Sequence, residues 1–513
     1  MSLPVVKRDE KGIFTLYVND QPFFLRSGEL HNSSASSLEY MKENVWPFLR
    51  DLHLNSVILP VYWELLEKEE GAYDYSLVDG IINQAREEKM KLVFLWFGLW
   101  KNAESMYVPG WMKKDSKTYF RAVKVNGEPI NTISPLCSAA VDKDRQAFTA
   151  LMKHIREIDS EENTVVAIQV ENEIGLLGTS RDYGETADKA FAEAIPAALS
   201  EKINKSGTWK EVFGTDAEEA FMAWYFASAV ETIASSGKAE YDLPCYANAW
   251  LKQYPWYAGS YPSGGPVHTM HAIWKAAAPS LFTLGPDIYV ADCARVMDEY
   301  QSSDNPLFIP EIRKDAVAAS YALYAFGAKD AICFSPFGIE ELGLDPSKVD
   351  CPPMEVMIAL NIDPSAFDIT DSKDFLAQTN SILENLEPLY LQYRGTEHLQ
   401  AFVKHQDLDF GTFLQFEDYD IAVGYDPRKS GKTLGSGIVI ELEKNRFLLI
   451  GASCSMQFKV KPGVNKKVDF VTYEEGRLDH GQWIPGRVLN GDEKMSVRFS
   501  PMPEVRMIEL FTY

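Results

Sequence analysis

The sequence predicts an α/β protein: a (β/α)8 barrel over residues 1–393 followed by an antiparallel β-sandwich over residues 394–513. Three observations predict it. Between about residues 14 and 392, short apolar runs alternate with amphipathic stretches at helical spacing. After about residue 394 the helical periodicity stops, and short β-type runs follow one another between turn clusters. Two of the apolar runs in the first part end in glutamate, as barrel strands do when their tips carry chemistry.

The strands and helices are read in order. Phe23–Gly28 is the first parallel strand, and Ser37–Leu52 follows with apolar residues at helical spacing. Asn55–Val61 is the second strand, Val78–Lys89 a helix, and Lys91–Phe97 the third strand. Asp144–Ile158 is a helix before the fourth strand, Val165–Val170. The interval 181–237 is mostly helical, most clearly over Ala217–Ser235. Pro244–Asn248, Ile288–Val290, Leu307–Glu311 and Ala331–Ser335 complete eight strands, with Ala316–Gly327 and Ser372–Tyr393 as the last helices. A doubly wound open sheet competes with the barrel, but no GxGxxG follows the first strand. In the C-terminal part, strands are read at 399–403, 412–416, 437–442, 446–450, 468–473 and 496–499.

Composition excludes several functions. The 513 residues are too many for one ordinary core, and a hydrophobic share of 46% suffices to fill two. The formal charge of −24 and the lack of a basic cluster argue against nucleic acid as a partner. The six cysteines form no CxxC, so neither a disulfide framework nor a zinc site is indicated. No run is long enough to span a membrane. The start of the chain has no apolar h-region, so a cytoplasmic location is expected. The oligomeric state is not set by the sequence, and a homo-oligomer is compatible with it.

The chemistry is concentrated at two strand ends. Gln169-Val170-Glu171-Asn172-Glu173 closes the fourth strand, and Glu311 closes the seventh. Two carboxyl groups facing each other across a barrel mouth suit glycoside hydrolysis with retention, one as nucleophile and one as acid and base. Strict alternation puts Gln169, Glu171 and Glu173 on one face. A bulge at the tip would instead let Asn172 and Glu173 share the pocket. Glu171 is then a supporting group inside the barrel. Glu29 and His31, at the tip of the first strand, are candidate pocket residues. Among the aromatic residues of the loops, Trp100, Trp250 and Trp274 are candidates for stacking on sugar rings. Arg313 either lowers the pKa of Glu311 by its charge or sits in a rim salt bridge.

Three segments carry a more specific resemblance: Gly28-Glu29-Leu30-His31, Gln169–Gly175, and Gly285-Pro286-Asp287-Ile288-Tyr289. They resemble glycoside hydrolase family 35, chiefly β-galactosidases within the clan of retaining (β/α)8 glycosidases. Phe334–Gly338 and the C-terminal β-domain are similar to a bacterial subgroup of it. Position 174 is Ile where that family usually has Tyr, and Ile312-Arg313 follows Glu311 in place of an aromatic-rich stretch. The resemblance implies Glu173 as general acid/base, Glu311 as nucleophile, Asn172 on the hydroxyl beside the anomeric carbon, and Tyr289 hydrogen-bonded to the nucleophile. It implies a retaining exo-β-glycosidase, foremost a β-galactosidase, acting on an oligosaccharide or polysaccharide-derived substrate and needing no cofactor or metal. The alternatives are the same mechanism on another sugar (β-glucosidase, β-xylosidase or arabinosidase) and a non-catalytic carbohydrate-binding protein.

Overall fold

The computed structural model describes residues 2–349 and 351–513. Eight parallel strands form one sheet: β1 (Leu25–Arg26), β2 (Ser56–Tyr62), β3 (Lys91–Lys101), β4 (Val165–Asn172), β5 (Cys245–Trp250), β6 (Leu281–Ile288), β7 (Phe308–Ile312) and β8 (Cys333–Pro336). Their spatial order is β1-β8-β7-β6-β5-β4-β3-β2. Glu29, just past β1, makes parallel bridges to both Ile58 of β2 and Phe337 after β8, which closes the sheet into a barrel. Strands β2, β4 and β7 are buried along their whole length, as expected of parallel strands covered on both faces. The covering helices include α1 (Ser76–Glu87), α2 (Ser138–Asp159), α3 (Ala217–Glu240), α4 (Cys293–Tyr300), α5 (Ala318–Lys329) and α6 (Ser372–Tyr393).

Four local expectations are corrected. Residues 5–22 are not part of the barrel; Val5–Arg8, Phe14–Val18 and Gln21–Pro22 form a separate antiparallel sheet. It sits at the N-terminal end of the barrel strands, where Asn163, just before β4, donates its Nδ2 to Asn19 Oδ1 at 2.7 Å. The stretch 37–52 is not one helix: a π-helical turn over Met41–Val45 lies between short α-helical pieces. Pro47 is the cause, because it has no N–H and its ring conflicts with the carbonyl four residues back. The first strand shrinks to Leu25–Arg26 plus the Glu29 bridges. The sixth strand lies at Leu281–Ile288 and not at 288–290. Gly285-Pro286 reads as a break in sequence, yet Gly285 serves close approach: a Cβ there would stand 2.7 Å from the Phe308 carbonyl oxygen on β7.

The C-terminal part contains two antiparallel sheets. One comprises β9 (Leu399–Val403), β12 (Ser436–Glu443), β13 (Arg446–Ala452), β18 (Glu504–Thr512), β15 (Val468–Asp479) and β16 (Gln482–Val488). The other comprises β10 (Gly411–Gln415), β11 (Tyr419–Tyr425), β14 (Cys454–Val460) and β17 (Val497–Phe499). On β12 the alternation is apolar on both faces. Ile438 and Ile440 pack into a core shared with α5 and α6, while Val439 packs into a core shared with the second sheet. Strands β11, β14, β16 and β18 were not among those expected from the sequence. Among the described residues, no helix is long and apolar enough to cross a membrane.

Candidate active site

The site lies at the C-terminal ends of β3–β7, the face on which (β/α)8 barrels carry their chemistry. Strand pairing sets the neighbours: Lys101 faces Asn172 across β3/β4, Trp250 faces Asp287 across β5/β6, and Asp287 faces Glu311 across β6/β7. A pocket of 280 Å3 opens here, lined among others by Lys101, Glu173, Trp250, Asp287, Tyr289 and Glu311.

Alternation fails at the tip of β4. Glu171 and Glu173 both have positive φ, 64° and 43°, so the chain turns at each. Glu171 consequently leaves the barrel mouth. Its carboxylate accepts the backbone N–H of Leu99 at 3.1 Å and of Trp100 at 2.6 Å, beside Asp144 of α2. Asn172 and Glu173 share the mouth instead, as a bulged tip would allow. The register of β3 against β4 slips between Trp96 and Lys101, which is the matching irregularity on the other strand.

Three carboxyl groups meet at the centre: Glu173, Asp287 and Glu311 each offer an oxygen within 4.8 Å of the others. Glu311 is held from three sides. Tyr289 donates its hydroxyl to Oε2 at 2.8 Å, Asn248 donates Nδ2 to Oε1 at 3.3 Å, and Asn172 Nδ2 reaches Oε1 at 3.4 Å. Asn248 ties all three acids together: its Nδ2 also donates to Asp287 Oδ2 at 2.7 Å, and its Oδ1 accepts the backbone N–H of Glu173 at 2.9 Å. Lys101 donates its Nζ to Asn172 Oδ1 at 2.8 Å, which turns the amide nitrogen toward Glu311. Three oxygen donors at this spacing are also a ligand set for a hard cation. The donors aimed at Glu311 and Asp287 compete for the lone pairs that a cation would take.

Crowding of acids fixes their protonation. Burial, then the Glu311 charge, pushes Glu173 up to about 7, and Lys101 opposes that rise. Burial and the Glu311 charge also raise Asp287 and Glu29 well above the usual carboxylate range. Asp287 Oδ1 and both oxygens of Glu29 are buried without a hydrogen-bond partner. Tyr289 is raised well above the usual phenol range by burial and by Glu311, so it stays a donor.

Of the predicted site residues, the structure brings together Glu173, Glu311, Asn172, Tyr289 and Trp250, with Glu29 in the barrel mouth close enough to feel the Glu311 charge. Two tryptophans are corrected. Trp100 is buried, donates its indole N–H to the Ile133 carbonyl at 2.9 Å and packs edge-on against Phe226. Trp274 is buried as well and donates to the Gly264 carbonyl at 3.1 Å. Neither has a face left for a sugar; both serve the core. His31 stands behind the pocket wall, 3.0 Å from Glu341 and edge-on to Phe337, while its neighbour Asn32 lines the pocket. Arg313 points away from Glu311 and pairs with Asp315 at 2.7 Å and Asp363 at 2.8 Å. Asn248 and Lys101 were missed as site residues. For Lys101 the signal was available, since it is a polar residue at the end of an apolar barrel strand.

Comparison with known proteins fits this geometry. Residues 15–242 match the model of glycosyl hydrolases family 35. That match supports a glycoside hydrolase, for which a carbohydrate is the substrate. Residues 376–501 match a domain of unknown function, DUF5597. No curated protein matches the chain. Among solved structures it is similar to β-galactosidase from Bacillus circulans sp. alkalophilus, at 10% identity and a TM-score of 0.50, covering 94% of this chain and 99% of that one. It is also similar to the β-galactosidase from Rahnella sp. R3 (15% identity, TM-score 0.46, 72% and 57% covered). A third likeness is to the catalytic domain of β-amylase from Paenibacillus polymyxa (13% identity, TM-score 0.48, 66% and 97% covered). The Bacillus likeness is one of fold.

Proposed function

We propose that this glycoside hydrolase is a retaining exo-β-glycosidase that removes terminal β-galactosyl units by double displacement. The observation that carries the reading is the carboxylate pair Glu173 and Glu311, whose nearest oxygens lie within 4.8 Å. Retaining enzymes hold their carboxyl groups roughly 5–5.5 Å apart, whereas inverting enzymes need about 6.5–9.5 Å to admit a water between them.

Glu311 is the nucleophile. Three donors converge on its carboxylate and aim an oxygen at the anomeric carbon. Glu173 is the acid, because burial and the neighbouring charge keep its proton near neutral pH. As Glu311 attacks, the glycosidic C–O bond breaks and Glu173 protonates the departing oxygen. Esterification removes the charge of Glu311, so Glu173 becomes the stronger acid, remains a carboxylate and deprotonates the incoming water. Water attacks the anomeric carbon, the ester bond breaks, and the β-configured sugar leaves. Asn172 is placed for the hydroxyl next to the anomeric carbon, and the free Oδ1 of Asp287 for a further one. Trp250 forms a wall of a pocket sized for a single sugar, which suits exo action. The match of residues 15–242 to family 35, chiefly β-galactosidases, is what favours galactose over other sugars.

The test is initial rates on 4-nitrophenyl β-galactoside beside the β-glucoside, β-xyloside and α-arabinosides, with proton NMR of the first-formed anomer. We expect the β-galactoside to be cleaved with β-galactose appearing first, and Glu311→Gln to abolish turnover while keeping the circular dichroism spectrum. Release of the α-anomer, or full activity in Glu311→Gln, overturns the mechanism. Cleavage of another glycoside alone overturns the galactose assignment.

A further inference from the structure

The 280 Å3 pocket accommodates one sugar, so anything beyond the scissile bond has to rest elsewhere. The loops after β4 and β5 offer such a place. There a groove of 660 Å3 is lined by Ser180, Thr215, Asp216 and Glu218 together with Trp256 and Tyr257. Both aromatic residues are turned outward: Trp256 is 57% and Tyr257 64% exposed, beside Tyr254 at 66%. Three neighbouring large aromatic side chains left in water gain nothing for folding, and such a patch marks a binding surface.

The loop that carries them is held firmly. Gly178 N–H donates to the Gly259 carbonyl at 2.9 Å, and Leu176 and Ser263 exchange backbone hydrogen bonds at 3.0 and 2.9 Å, which joins the two loops. A Cβ at Gly259 would stand 2.7 Å from the Thr179 backbone, so the loops touch directly. Trp256 has φ of +70°, an uncommon conformation for a bulky residue.

The patch is tied to the wall of the catalytic pocket by hydrogen bonds. Gln253 and Asn361 both line that pocket. The Gln253 carbonyl accepts the Trp256 N–H at 2.8 Å, and Asn361 donates its Nδ2 to the Tyr254 carbonyl at 2.9 Å. One turn of chain therefore separates the pocket wall from the aromatic platform. The groove also lies on the side of Glu173, which ends β4. A leaving group departs toward the residue that protonates it, so this is the side on which the departing chain emerges.

We propose that this groove is a leaving-group site for a neutral oligosaccharide, in which Trp256 and Tyr257 stack on sugar rings beyond the scissile bond. The inference rests on the glycosidase reading and adds the substrate class: an oligosaccharide, in preference to a disaccharide or small aryl glycoside. Aromatic faces match the C–H faces of pyranoses with equatorial hydroxyls. Hydroxyls on the groove wall accept from and donate to sugar hydroxyls, and carboxylates accept from them. The lining contains Asp216, Glu218 and Glu219; Lys252 pairs with Glu219 at 3.2 Å and Arg181 with Glu218 at 3.5 Å, which leaves neither cation for a uronic acid.

The test uses β-galactosides whose leaving groups are 4-nitrophenol, glucose, cellobiose and cellotriose. We expect kcat/KM to climb from glucose to cellotriose. In Trp256→Ala and Tyr257→Ala, the ratio of kcat/KM for the cellotriose and 4-nitrophenyl substrates should fall about tenfold, the worth of one stacked ring. A flat ladder in the unaltered protein, or an unchanged ratio in both variants, overturns the inference even if every substrate is cleaved. A second readout does not depend on turnover: cellotetraose titrated into the Glu311→Gln protein, followed by tryptophan fluorescence, with and without Trp256→Ala. Binding that depends on Trp256 supports the groove even if no β-galactoside is cleaved, a result that would instead remove the proposed activity. Absence of binding together with a flat ladder removes the groove alone.

Discussion

Glu173 is the residue on which pH dependence turns. Burial first and the Glu311 charge second raise it to about 7, so the acid form needed for leaving-group departure is present below that pH and lost above it. The pH profile of kcat/KM should therefore fall above about pH 7, approaching a tenfold loss per unit. Glu173→Gln should cut kcat/KM on an oligosaccharide by about 10²–10⁴ and flatten that limb. A limb that persists unchanged in the variant would assign it to another group. Asp287 gives a second, separate expectation. Its Oδ1 is buried and free, so a substrate hydroxyl is its natural partner. Burial and the Glu311 charge favour its neutral form, and a neutral hydrogen bond contributes about 0.5–1.5 kcal/mol, so Asp287→Ala should lower kcat/KM by about 2–10-fold. An unaltered kcat/KM would remove Asp287 from the substrate's contacts. At this scale the sequence was legible where a residue sits on a strand end: Glu173, Glu311, Asn172 and Tyr289 meet as neighbours. Asn248 was not, because its part depends on reaching Glu173, Asp287 and Glu311 on three other strands, and that is a property of the closed barrel.

The tips of β3 and β4 form one mechanical element. Glu171 and Asp144 lie side by side beneath the β3 tip, and Asp144 takes the Trp96 indole N–H at 2.7 Å and the Leu99 N–H at 3.0 Å. Gly98 makes room for both acids: a Cβ would stand 2.4 Å from Asp144 Oδ2 and 2.5 Å from Glu171 Oε1. Gly98→Ala should therefore destabilise the fold by about 1–3 kcal/mol, read from urea unfolding, and lower kcat/KM by moving Lys101. Unchanged stability and rate would show that the two acids can give way. Burial raises Asp144 to about 6 and Glu171 well above its usual range. Acids raised in the folded state hold protons that the unfolded chain has released, so their contribution to stability declines as pH rises from about 4 through 6. At the element scale, most barrel strands and the long helices α2, α3, α5 and α6 were readable from periodicity. Two misreadings lie at breaker residues: Pro47 interrupts the stretch read as one helix, whereas a strand runs through Gly285-Pro286, where β7 packs close. Two of the four unread strands of the C-terminal sheets have weaker texture. Tyr419–Tyr425 alternates half-buried and buried positions, and Gln482–Val488 is largely exposed, so neither carries a continuous apolar run.

Over the whole molecule, the barrel and the larger C-terminal sheet share one hydrophobic core. Tyr321, Leu323 and Phe326 of α5 and Ile382 and Leu386 of α6 pack with Ile438, Ile440 and Ile450 of that sheet. The contact is close: a Cβ on Gly327 would stand 2.7 Å from the Ala401 Cβ and 2.9 Å from Ile438 Cγ1. Ser320 Oγ also accepts the Leu434 N–H at 2.9 Å, so a buried hydrogen bond crosses the same junction. The two parts should therefore unfold together, because either one alone exposes the face it shares. Gly327→Leu drives a side chain into that junction without touching the barrel mouth. We expect it to lower the urea midpoint by about 1–3 kcal/mol of stability and to speed hydrogen exchange over residues 399–403 and 436–443 ahead of β4. If β4 and the C-terminal strands instead exchange in step in both proteins, the junction yields without separating. If they already exchange independently in the unaltered chain, the shared core does not couple them, and the C-terminal sheets fold on their own.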